Sequence, residues 1–193
     1  MRKTKKQKIR AGLLSLALVF TLTGCGHEQA KKAVTKTTKV KKQTTTTAQE
    51  KPKNTKAFKA VKTAIRIYKE HPKYSQAKRM QEGYIDCSAY VWKCWKAAGI
   101  PFGESSYAPT AAEIARWCEE NHCLISEEKA KNHLEPGDLI FYTNKRGNNG
   151  RFRNIAHVSI YIGNEKMLHA DGAPPAYGNP WYRKVAAVGR PAR

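Results

Sequence analysis

Residues 155–170 read Ile155-Ala156-His157-Val158-Ser159-Ile160-Tyr161-Ile162-Gly163-Asn164-Glu165-Lys166-Met167-Leu168-His169-Ala170, and their reading decides the fold. Ala156, Val158, Ile160 and Ile162 alternate with His157, Ser159 and Tyr161, which is the period of a half-buried strand. Gly163 to Glu165 then turn the chain into a second strand, Met167 to Ala170. A three-residue loop pairs Ser159 with His169 and makes His157 the diagonal neighbour of His169 on one face. A two- or four-residue loop puts the two histidines on opposite faces, because a one-residue slip inverts the pleat. Register decides whether they meet.

Working outward, Pro136-Gly137 predicts a turn and Asp138 to Tyr142 a short, almost wholly apolar strand. A polar Gly/Asn-rich loop, 144–154, joins it to the strand above, and a last strand falls near Val185 to Val188. Upstream the period changes to that of helices. Phe58, Val61, Ile65 and Tyr68 share one face of a first helix that Pro72 stops. Asp86 caps a second, Gly99 suits its left-handed end, and Pro101 prevents continuation. Cys87, Val91, Trp95 and Ala98 fall on its inner face. Thr110 and Glu113 form a capping box for a third helix, which carries Ile114, Trp117 and Cys118 and ends near Asn121. Helices followed by antiparallel strands predict an α+β domain, with N-terminal helices packed on a small antiparallel sheet.

That domain occupies residues 57–193, because the chain ahead of it cannot fold into one. Of the 193 residues, 36 are Lys or Arg and 15 are Asp or Glu. Residues 1–60 hold 16 of the basic side chains and only 2 of the acidic ones. Segment 25–56 is mostly Lys, Thr, Gln and Ala, too poor in apolar surface to offset the entropy of ordering. The length and this division exclude a two-domain enzyme and a membrane-spanning transporter. They give no support to a nucleic-acid-binding protein, since the charge lies in a leader and a tether.

Six basic residues crowd the first ten positions, followed by an apolar run from Ala11 to Thr23. The run is shorter than the roughly 20 residues a spanning helix needs, so 1–24 reads as an export signal. Leu22-Thr23-Gly24-Cys25 resembles the lipobox of bacterial lipoproteins. The resemblance implies that Cys25 is lipidated and becomes the first mature residue, with 25–56 as an extended tether. Loss of 1–24 lowers the net charge from +21 to +15. The expected location is the cell membrane, lipid-anchored on its extracytoplasmic face.

Cys87 stands in the first turn of a helix behind its capping Asp86, where unpaired N–H groups favour a thiolate. Cysteine catalysis needs a histidine in reach and a third polar group to orient it, and His157 and His169 are the candidates. Cys94 reads as a core residue. Cys118 and Cys123, with His122 beside them, form at most a weak metal motif, and either a disulfide or two thiols suits an exported domain.

Asp86-Cys87-Ser88, Leu134-Glu135-Pro136-Gly137-Asp138-Leu139-Ile140-Phe141-Tyr142, His157-Val158-Ser159-Ile160-Tyr161-Ile162-Gly163-Asn164 and Met167-Leu168-His169-Ala170 together resemble the NlpC-type cell-wall peptidases. The resemblance spans about residues 60–193. It implies a papain-like fold and hydrolysis of peptidoglycan stem peptides, typically between γ-D-glutamate and the following diamino acid. Residue by residue it implies Cys87 as nucleophile, His157 as base and acid, and His169 as the orienting group. Asp86 and Ser88 are placed beside the substrate. An upstream tyrosine is placed near the oxyanion, Tyr74 or its competitor Tyr84. Ala89 and Ser159 stand where the family commonly has glycine. No metal or cofactor is implied, and the chain is expected to act as a monomer. An amidase of the same fold and a silent wall-binding lipoprotein are the alternatives. Trp181 and Tyr182 are cleft, core or rim.

Overall fold

The computed structural model describes residues 54–103 and 106–192. The leader, Cys25 and almost all of the tether lie outside the described residues. Among those described, no helix is long and apolar enough to cross a membrane.

Helix α1 (Thr55–Lys69) starts at Asn54, whose side chain accepts from the Lys56 N–H. Its buried face corrects the expectation. Ala57, Ala60, Val61, Ala64 and Ile67 point inward, while Phe58 is 51 % exposed and Ile65 and Tyr68 are only partly covered. Ala64 lies against a residue of the neighbouring helix: the Tyr90 hydroxyl donates to the Ala64 carbonyl at 2.8 Å. That neighbour is α2 (Cys87–Ala97), capped by Asp86 and followed by Gly99 at φ +84°. It is enclosed on nearly every side, with Ala89, Tyr90, Val91, Cys94 and Trp95 almost without exposure. Helix α3 (Ala111–Glu120) carries the Thr110–Glu113 capping box and ends at Asn121, as its sequence predicts.

Strands β1 (Lys73–Tyr74) and β2 (Tyr84–Ile85) form a small parallel ladder that the sequence did not reveal. The main sheet has six antiparallel strands in the order β3 (Leu124–Ile125), β8 (Val185–Gly189), β4 (Leu139–Thr143), β5 (Ile155–Gly163), β6 (Lys166–His169) and β7 (Ala176–Gly178). Leu139, Phe141, Val158, Ile160, Ile162 and Leu168 join the core of α1, α2 and α3. The opposite face, with Ile140, Tyr142, Tyr161 and Val188, packs with Ala130 of the short α4 (Glu127–Asn132).

The β5–β6 hairpin resolves the register. Asn164 and Glu165, at φ +53° and +56°, form a two-residue turn between Gly163 and its partner Lys166. Ile162 is bulged out between the Tyr161–Met167 and Gly163–Lys166 pairs. A two-residue turn plus one bulged residue restores the register of a three-residue loop, so Ile160 pairs with Leu168. Continuing that register brings Ser159 level with His169, and the two histidines share a face. A second bulge falls at Ala156, where Tyr142 faces His157 but Thr143 faces Ile155. Bulges of this kind re-aim the neighbouring side chain, here His157.

Candidate active site

Cys87 sits at the junction of α2 and β5. Its sulfur lies within hydrogen-bond reach of the N–H groups of Ser88 and of Val158, the residue after His157. Nε2 of His157 is 2.9 Å from Nδ1 of His169, with the rings edge to face at 73°. In the tautomer in which His157 donates from Nε2 to His169, Nδ1 of His157 is left for proton transfer. The Val158 contact sets Cys87 against the strand that carries His157, and the 2.9 Å contact joins His157 of that strand to His169 of the next.

The protonation states differ from the expectation drawn from the helix end. Burial pushes the Cys87 thiol up to about 12, and the Asp86 charge adds to this against the Val158 and Ser88 N–H groups. Burial likewise holds His157 well below the ordinary histidine range, opposed by Asp171. Both shifts favour the neutral thiol and the neutral imidazole. Desolvation outweighs the helix terminus because Cys87 is 8 % exposed and His157 only 2 %.

Two supporting residues were missed by the sequence reading. Tyr142 pairs across the ladder with His157 and stacks on its ring, with centroids 5.6 Å apart. Its hydroxyl is fixed by Ser159 at 3.0 Å and the Pro180 carbonyl at 2.9 Å. A cross-strand aromatic opposite a catalytic candidate is the signal that could have exposed it. Asp171 places a carboxylate 3.9 Å from Nδ1 of His157, receives the Tyr182 hydroxyl at 3.3 Å, and lies 3.8 Å from Arg183. It raises the basicity of both His157 and His169. Asp171→Asn is expected to move the acid limb of the kcat/KM profile to lower pH and reduce its plateau, since the base weakens. An unchanged profile would remove Asp171 from the site's electrostatics.

Of the residues expected to meet substrate, Tyr74 lies beside Cys87. The β1–β2 ladder pairs it with Ile85, and burial first, then its nearness to Cys87 and Asp86, raise its hydroxyl. Tyr84 turns instead toward Lys78, 5.2 Å from its ring centre. Asp86 and Ser88 are already engaged. Asp86 accepts from the Ala89 N–H at 2.7 Å and from Ser88 at 3.0 Å. Arg79, which the sequence reading did not single out, donates to Asp86 at 3.1 Å, to Ser88 at 2.9 Å and to the Ala108 carbonyl at 2.6 Å. The Arg79 guanidinium therefore ties the residues on either side of Cys87 to the Ala108 carbonyl.

Cys118 and Cys123 are buried thiols in mutual contact, with no disulfide among the described residues. The described His, Cys, Asp and Glu side chains close enough to hold a metal ion are His157, His169 and Asp171, with donor atoms within 4.8 Å of one another. His122, Cys118 and Cys123 form no such group.

Fold and site together define a papain-like cysteine-peptidase domain. The chain belongs to the NlpC/P60 family, whose model matches residues 71–189. It is 32 % identical over 110 residues to "Probable endopeptidase p60" of Listeria monocytogenes, covering 55 % of this chain and 19 % of that protein. It is 28 % identical over 89 residues to "Gamma-D-glutamyl-L-lysine dipeptidyl-peptidase" of Bacillus cereus, covering 46 % of this chain and 22 % of that one. The match thus spans about a fifth of the length of either relative. NlpC1 of Trichomonas vaginalis shares the fold, with a TM-score of 0.54 at 22 % identity over 72 % of this chain and 45 % of that one.

Two histidines buried in neutral form have a consequence for stability. Unfolded histidines take up protons near about 6.5, whereas His157 and His169 resist protonation to lower pH. The unfolded state therefore binds more protons below that value, and stability falls as pH drops through it. Urea midpoints measured from pH 7.5 to pH 5 should decrease, and less steeply for His157→Gln. Equal slopes for the two proteins would contradict the burial argument.

Proposed function

We propose that this protein is a lipid-anchored peptidoglycan hydrolase that cleaves stem-peptide amide bonds between γ-D-glutamate and the diamino acid. The observation carrying the reading is the Cys87 sulfur under the Val158 N–H, beside a His157–His169 pair joined at 2.9 Å. His157 takes the thiol proton as the sulfur attacks the amide carbonyl, so that a C–S bond forms and an oxyanion develops. The N–H groups at the start of α2 stabilise that charge, and Tyr74, whose raised hydroxyl stays protonated, adds a donor. His157 passes its proton to the leaving amine as the C–N bond breaks. Water, deprotonated by His157, then releases the acyl group and restores the thiol. His169 holds the His157 ring and its tautomer, while Asp86, Ser88 and Arg79 shape the cleft wall beside the nucleophile.

A neutral resting pair fits this sequence of steps. The thiol stays unreactive until a bound substrate supplies the carbonyl. Lipid on Cys25 and the basic tether would keep the domain at the outer face of the membrane within reach of the wall, acting as a monomer and without nucleic acid. The relatives' names support an endopeptidase, and the Bacillus cereus protein's name supports the γ-D-glutamyl bond.

The test is to incubate the full-length chain with purified muropeptides and analyse the products by mass spectrometry. New free α-amino groups on the diamino acid are expected. Release of whole stem peptides would instead assign an amidase. No cleavage by folded, reduced protein would overturn the hydrolase reading.

A further inference from the structure

A cavity of about 460 Å³ opens on the sheet face that also carries His157, and no step above uses it. Its walls include Asn132 at the end of α4 and Leu134 after it, Tyr161 and Glu165 at the β5–β6 hairpin, and Asn179 and Trp181 from the loop before β8. The volume is within the range of about 300–1,000 Å³ typical of small-molecule sites. We propose that this cavity is a glycan subsite, binding a neutral, hydroxyl-rich sugar of the strand to which the stem peptide is attached. The proposal rests on the reading of stem peptides as substrate and extends it to the part of the wall polymer that is not peptide.

The lining chemistry selects the ligand. Trp181 is 39 % exposed, and its backbone N–H is fixed by the Asn179 side chain at 2.7 Å, so the indole is presented on a braced turn. An indole offers a flat apolar face for the C–H side of a pyranose, and amide and carboxylate groups answer its hydroxyls. The fixed charges are mostly spent elsewhere. Lys131 pairs with Glu127 at 2.8 Å and Glu135 with Arg190 at 2.7 Å. Glu165 has no ion pair among the described residues and would repel an anionic wall polymer, which leaves a neutral polyol as the better match.

Position ties the cavity to the chemistry. Trp181 lines it, and the next residue, Tyr182, reaches Nδ1 of His169 at 3.4 Å and Asp171 at 3.3 Å. Pro180, on the same wall, accepts the hydroxyl of Tyr142, the ring stacked on His157. Tyr161 lies four residues along β5 from His157, on the order of 13 Å at about 3.3 Å per residue. In peptidoglycan the sugar is separated from the γ-glutamyl carbonyl by a lactyl ether and two amino acids. Two extended residues cover about 7 Å, and the ether and the γ-linkage supply most of the remainder.

The experiment has a binding arm and a kinetic arm. N-acetylglucosaminyl-N-acetylmuramic acid, its lactyl carboxylate capped as the methyl amide so that the disaccharide is neutral, is titrated into the full-length Cys87→Ala chain while the indole N–H resonance of Trp181 is followed by NMR. That resonance is identified by its loss in a Cys87→Ala/Trp181→Ala chain. A saturable shift is expected, weakened by Glu165→Gln in a chain whose melting temperature is unchanged. In the kinetic arm, the ratio of kcat/KM for glycan-linked over free stem peptide should fall about tenfold in Trp181→Ala. No shift at millimolar disaccharide, or an unchanged ratio, overturns the subsite. Absence of cleavage of either substrate by wild-type protein overturns the hydrolase reading instead, and the binding arm still judges the cavity.

Discussion

Cys87→Ala is expected to reduce turnover of muropeptides by on the order of 10⁵-fold, because removal of a nucleophile leaves only binding and electrostatic terms. The fold should survive. The substitution deletes one sulfur at the start of α2 and leaves the Asp86 cap intact, since that cap bonds to the Ala89 N–H at 2.7 Å. The cost in stability should be about 1 kcal/mol, the lower end for a small cavity. Cys87→Ser should be almost as inactive, since burial that already pushes a thiol up to about 12 opposes an alkoxide still more strongly. His169→Ala should be milder, a loss of about 10- to 100-fold, because the ring loses its orientation and keeps its own chemistry. Mass-spectrometric rates and thermal melts on the same preparations check all three. Turnover by Cys87→Ala within tenfold of wild type would exclude this cysteine as the nucleophile.

Arg190→Met is expected to destabilise the domain by about 3–5 kcal/mol, the range for leaving one member of a buried ion pair behind. Arg190 grips Asp138 with two bonds of 2.8 Å, reaches Glu135 at 2.7 Å and donates to the His133 carbonyl at 2.8 Å. Asp138 is 1 % exposed, and burial already raises its carboxyl despite Arg190, so it cannot lose that partner cheaply. The clamp joins the end of β8 to the turn that starts β4. At that turn the Gly137 N–H donates to the Tyr161 carbonyl and the Tyr161 N–H to the Asp138 carbonyl, both at 2.8 Å. The clamp therefore holds β4 against β5, the pairing that sets Tyr142 opposite His157. Urea denaturation of Arg190→Met should show a much lower midpoint, and Asp138→Asn in the same chain should recover part of the loss. A loss below 1 kcal/mol would show that solvent replaces the guanidinium.

The division between what sequence and structure contribute follows the range of the forces. Sequence alone determined the capped ends of α2 and α3 and the alternation of β5, and it singled out Cys87, His157 and His169 as candidates. Each of these is written in residues a few positions apart, as with the Asp86 cap or the Thr110–Glu113 box. Tertiary structure decided the rest. It turned Phe58 outward and buried Ala60 and Ala64 instead, with Tyr90 of α2 bonded to the Ala64 carbonyl. It brought the two histidines to one face through a bulge at Ile162, which no local pattern marked. It committed Asp86 and Ser88 to Arg79, and it added Asp171 to the field around His157. Above all it pushed the Cys87 thiol up: a helix end favours the thiolate locally, but the loss of water around the sulfur depends on elements packed from distant parts of the chain, and that cost is the larger.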